Sequence, residues 1–139
     1  MITFNCIDVP MPDFDFSTMR GWIETVAGKY GKRVGELHYY FCSDESLLQI
    51  NRQRLNHDFY TDIITFPLNE CDEILSSEFC ISIDRIADNA VALNKSFDVE
   101  FHRVMIHGVL HIIGFDDKTE TDEKVMREKE DESLQILFK

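Results

Sequence analysis

The stretch His107-Gly108-Val109-Leu110-His111-Ile112-Ile113-Gly114-Phe115-Asp116-Asp117 sets two histidines four residues apart. A helix turns once in about 3.6 residues, so the two imidazoles share a face and can converge on one metal ion. Read outward, the pattern predicts a helix from Asp98 to Ile113. Phe101, Val104, Met105, Ile106, Val109, Leu110, Ile112 and Ile113 make it apolar nearly all round, and Glu100, Arg103, His107 and His111 form its one polar stripe. Such a helix is buried, and polar groups on its remaining face need partners. Gly114 suits the chain reversal that ends a helix, after which Asp116 or Asp117 can supply a third, carboxylate ligand. Two histidines and a carboxylate leave a coordination position for water, as catalytic zinc sites do. His102 projects to the apolar side and reads as a core residue or one that backs a ligand.

The elements before and after alternate between strand and helix. Ile2 to Ile7 reads as a strand, and Ser17 as the cap of a helix running to Tyr30. Val34 to Cys42 alternates as a second strand, with Leu37, Tyr39 and Phe41 on one face. A short helix follows to Leu55, then a polar link over 56–62 and a β-branched strand, Ile63 to Phe66, ended by Pro67. Leu68 to Ser76 reads as a loop, Glu78 to Ile83 as a fourth strand, and Asp84 to Asn94 as a helix. The last segment, Thr119 to Leu137, reads as a charged helix that either docks on the core or extends from it, with Thr119 and Asp122 as a capping pair and its acidic residues on a solvated face. This order predicts an α/β fold: a single domain over 1–139 with a small mixed β-sheet of about four strands, packed helices, and metal ligands on a central helix.

The 139 residues, 44% hydrophobic, suffice for a real core. No apolar run approaches the ~20 residues that span a bilayer, and the N-terminus lacks the pattern of a signal peptide, so a cytoplasmic protein with no membrane partner is expected. Cys6, Cys42, Cys71 and Cys80 have no paired spacing and read as reduced thiols. A net charge of −12 argues against non-specific nucleic-acid binding, and no DNA partner is expected. The segment from Arg20 to His57 departs from that balance, with six Lys/Arg against four Asp/Glu. An RNA would have to approach there.

The string His107-Gly108-x-Leu110-His111-x-x-Gly114-Phe115-Asp116-Asp117 resembles the signature of the YbeY family of ribosomal-RNA-maturation endoribonucleases, which reads H-G-x-L-H-x-x-G-Y-D-H. Asn51 to Phe66 is similar to the family's N-x-x-Y-R-x-x-D-x-x-T-D-V-L-S-F, and Glu78-Phe79-Cys80-Ile81-Ser82 to its G-D-I-x-I-S strand. The resemblance spans residues 51 to 117.

That resemblance implies a metal-dependent, single-strand-specific endoribonuclease acting in maturation of small-subunit rRNA and in ribosome quality control. Its expected partners are the rRNA precursor and the ribosome or ribosomal proteins. The implied cofactor is one zinc ion, or another divalent transition metal, held by His107, His111 and Asp117. Asp117 replaces a histidine here, which adds negative charge to the site. Asp116 becomes the candidate proton-handling, catalytic group. The family's arginine falls on Leu55, so Arg54 or Arg52 would have to contact the substrate phosphate. Two rival readings remain: a non-catalytic ribosome-assembly factor with a structural metal, and a zinc peptidase-like hydrolase. Gly108 disfavours the second, since it stands where such peptidases carry their glutamate base.

Overall fold

The computed structural model describes residues 1–69 and 71–138. In chain order the elements are β1 (Ile2–Cys6), α1 (Phe16–Lys29), β2 (Arg33–Cys42), α2 (Asp44–Leu55), β3 (Ile63–Pro67), β4 (Ile74–Ser82), α3 (Ile83–Ala92), α4 (Phe97–Ile113) and α5 (Glu120–Leu137). The four strands form one sheet in the order β1-β2-β4-β3. β1 and β4 both run parallel to β2, whereas β3 is antiparallel to β4, so the expected mixed sheet is present.

Alternation along the strands decides what each face of the sheet carries. Leu37, Tyr39 and Phe41 of β2 join Phe79 and Ile81 of β4 on one face, where they are fully buried with Trp22 and Ile23 of α1 and Phe101 and Met105 of α4. The opposite face carries Cys42, Ile64 and Cys80 against Leu47 of α2. Helix α4 lies so close to the first face that a Cβ at Gly108 would stand 2.8 Å from Ile63 Cδ1 and the Phe79 ring. A side chain there would overlap its neighbours.

Two expectations are corrected. Asp15, not Ser17, caps α1: its Oδ1 accepts from Thr18 N at 3.1 Å and its Oδ2 from Thr18 Oγ1 at 2.7 Å, two bonds that a cap at Ser17 would forgo. The fourth strand begins at Ile74 rather than Glu78, because Ile74 and Leu75 pair with Arg33 and Val34 beyond a register shift in β2. This shortens the expected 68–76 loop, within which Glu70 lies outside the described residues. Of the two placements left open for α5, the structure shows the docked one. Trp22 Nε1 donates to Ser133 O at 2.8 Å, and Met126, Glu130, Ser133 and Leu134 are buried. Its expected cap is present, Thr119 Oγ1 accepting from Asp122 N at 3.0 Å.

Candidate metal centre

Helix α4 presents its polar stripe to α5 and to the groove beside β3. Ser96 caps the helix, and Gly114, at φ +132°, ends it in a backbone region that side chains rarely adopt. The chain then folds back over the last turn, Phe115 N donating to Leu110 O at 3.1 Å. That reversal brings both aspartates to the histidines.

His111, Asp116 and Asp117 each offer a ligand atom, and these atoms all lie within 4.8 Å of one another. His107 Nε2 stands 3.5 Å from Asp117 Oδ2, so Asp117 is the residue both histidines share. Asp116 is further tied to the turn, its Oδ1 accepting from Asp117 N at 2.8 Å. His111, Asp116 and Asp117 combine imidazole and carboxylate donors, a set that fits a borderline divalent ion; the expected ligand His107 lies outside that group and reaches it only through Asp117. Position 108, where zinc peptidases carry their glutamate base, holds a glycine packed against Ile63 and the Phe79 ring.

Glu130 is the residue that the sequence reading missed. Its Oε2 accepts from His107 Nδ1 at 2.7 Å, and its Oε1 accepts from Arg103 at 3.0 Å. Arg103 also donates to Asp131 at 2.9 Å. The carboxylate therefore orients the ring so that Nε2 faces Asp117, as carboxylates commonly do behind ligating histidines. A signal was available: Glu130 sits four residues after Met126 and four before Leu134, in line with the apolar stripe of α5.

Burial by itself would lower the pKa of His107. The hydrogen bond and charge of Glu130, with the carboxylates of Asp62 and Asp117, outweigh that effect and raise it. Asp62, half-buried, has its own carboxyl pKa raised by desolvation despite the attraction of His107. His102 is a core residue, packed edge-on against Phe14, Trp22 and Phe138, with Nδ1 2.7 Å from Asp98 O.

The groove leading from this centre is lined by Asn51, Leu55, His57, Phe59, Thr61 and Ile63 before it reaches His107, His111 and Asp117. Neither candidate arginine is among its lining residues. Arg52 is held by Asp58 at 2.5 Å, and Arg54 lies over the Phe66 ring, 5.8 Å from its centroid.

The family model described as Endoribonuclease YbeY matches residues 11–137. The chain belongs to the YbeY family. Curated relatives named Endoribonuclease YbeY include one from Phocaeicola vulgatus, 45% identical over 99% of both chains. Another, from Bacteroides thetaiotaomicron, is 46% identical over 96% of both. The solution structure of TM1509 from Thermotoga maritima superposes with a TM-score of 0.66 at 26% identity, covering 97% of this chain and 87% of that one. The YbeY resemblance read from residues 51 to 117 thus extends over nearly the whole chain. No described helix is long and apolar enough to cross a membrane.

Proposed function

We propose that residues 1–139 form one metal-dependent endoribonuclease domain that cuts single-stranded RNA during maturation of small-subunit rRNA and in ribosome quality control, working in the cytoplasm on the ribosome or its proteins. Membership of the YbeY family supports the endoribonuclease class. The observation that carries the site assignment is the chain Glu130–His107–Asp117, with His111 and Asp116 beside it.

His107, His111 and Asp117 would hold the metal, for which zinc is our assignment on donor chemistry. When bound, the ion supplies charge neutralisation at a phosphoryl oxygen and an acidified water. Glu130 fixes the His107 tautomer, so that Nε2 stays free to ligate. Asp116, beside His111 and Asp117, would take or return a proton at the reacting oxygen. Arg54 and Arg52, the candidates to replace the arginine missing at Leu55, lie outside the groove that leads from this site, Arg54 over Phe66 on the other face of the sheet and Arg52 paired with Asp58, so neither is assigned a phosphate there.

The experiment pairs elemental analysis of protein purified without added metal with cleavage of a single-stranded RNA from the small-subunit precursor. The expected result is one zinc per chain, and loss of both metal and cleavage in His111→Ala. Full cleavage by that variant would sink the proposal. A metal-bearing protein that binds pre-ribosomes without cutting would point instead to an assembly factor.

A further inference from the structure

The groove that ends at the histidines has a wall the proposed chemistry does not use. The connection from α2 to β3 exposes three large apolar side chains: Leu55 is 40% exposed, Phe59 55% and Tyr60 51%. Phe59 does not lie alone. Its ring stacks on His57 with centroids 5.1 Å apart and planes 21° from parallel. Arg85 lies over the neighbouring Tyr60 ring at 5.3 Å.

The connection is held in shape by a buried residue. Asn51, 1% exposed, donates from Nδ2 to Phe59 O at 2.9 Å, and its own backbone oxygen accepts from His57 N at 3.1 Å. Asn56 adopts the left-handed conformation at φ 55° and turns the chain into this clasp. One buried amide thus fixes both ring-bearing residues on the groove wall.

Aromatic faces, and not charge, point to the occupant. No Lys or Arg lines this groove among the described residues, and the whole chain carries −12. A polyanion held through its phosphates alone would gain little here. Stacking of a base on an aromatic face is insensitive to that charge, because every base has a π-face.

We propose that His57 and Phe59 form a base-stacking platform that receives an unpaired RNA nucleotide next to the phosphate presented to His107, His111 and Asp117. The proposal rests on the endoribonuclease reading for its substrate class. Duplex RNA keeps its bases stacked on each other, so the platform selects single strands.

The test titrates a single-stranded RNA of about ten nucleotides, carrying one 2-aminopurine, against the metal-loaded protein and against Phe59→Ala, Phe59→Trp and His57→Ala. Fluorescence quenching and anisotropy are read together with KM and kcat for cleavage. Wild type should bind with quenching. Phe59→Ala should lose quenching and roughly tenfold in affinity, with the cost in KM rather than kcat, and Phe59→Trp should restore both. Phe59 is solvent-exposed, so these variants should keep the wild-type circular dichroism and metal content. Equal affinity and quenching in Phe59→Ala, or no RNA binding by wild type, would overturn the platform and leave the patch to a protein partner. Quenching without cleavage would remove the nuclease reading alone; cleavage with an indifferent Phe59→Ala would remove the platform alone.

Discussion

Nδ1 of His107 and Oε2 of Glu130 lie 2.7 Å apart, joining the central helix to the last one at the candidate metal centre. The same carboxylate accepts from the buried Arg103, so a single side chain of α5 organises both the site and the packing of α5 on α4.

Two substitutions at Glu130 should separate those roles. Glu130→Gln keeps a hydrogen-bonding group of the same shape but loses the charge. Metal affinity, measured by competition with a chromophoric chelator, should fall by roughly 10- to 100-fold with little loss of stability. Glu130→Ala leaves the buried Arg103 with Asp131 and the more distant Glu100 and should cost about 3 kcal/mol in urea unfolding. Unchanged metal affinity in both variants would refute the orienting role.

Gly108→Ala tests the close approach of α4 to the sheet. The added methyl would meet Ile63 and the Phe79 ring at 2.8 Å, an overpacking cost of about 1–3 kcal/mol. Alanine's better helix propensity returns up to about 1 kcal/mol, so a net loss of roughly 1 kcal/mol is expected in the urea midpoint. A stabilised variant would show that the sheet gives way there.

Glu100 provides a pH signature. It is buried in α4 with Oε1 lacking a hydrogen-bond partner, and burial raises its carboxyl pKa although Arg103, 3.8 Å away, pulls it down. A carboxyl whose folded pKa lies above its unfolded value stabilises the fold below the unfolded pKa, and that contribution is lost as pH rises through the folded one. Glu100→Gln should therefore be more stable than wild type at neutral pH, with the advantage vanishing as pH falls below the ordinary glutamate range. Urea titrations from pH 4 to 8 measure it. A constant difference across that range would mean Glu100 does not titrate as a buried acid.

The four thiols should react in an order set by burial. Desolvation pushes Cys42 up to about 12 and Cys80 to about 11, and both are enclosed between the sheet and α2. Cys71 is exposed and Cys6 half-buried. With a thiol-specific reagent at pH 8, Cys71 should react first and Cys6 next, while Cys42 and Cys80 wait for unfolding. Fast labelling of all four in native protein would contradict the packing.

Much of this was legible because the signals are local. Ile63 to Pro67 is a β-branched run closed by proline, and the strand has those bounds. Leu37, Tyr39 and Phe41 alternate, and all three are fully buried on one face. The start of β4 was not legible: Ile74-Leu75-Ser76-Ser77 mixes apolar and polar residues, and its pairing depends on a bulge in another strand. Glu130 was hidden for a related reason. In an acidic helix one more glutamate looks like surface, and only its distance from Arg103 and His107 distinguishes it.

By itself the sequence determined the element types, the polar stripe on α4, the turn at Gly114 and the family, because each depends on residues close together in the chain. Tertiary structure decided which partners the stripe would meet. Docking of α5 set Glu130 behind His107, the chain reversal set Asp117 between the two histidines, and the clasp of Asn51 stacked His57 on Phe59 in the same groove. Those relations join residues on different elements, and no spacing along the chain encodes the distance between two elements until the core has packed them.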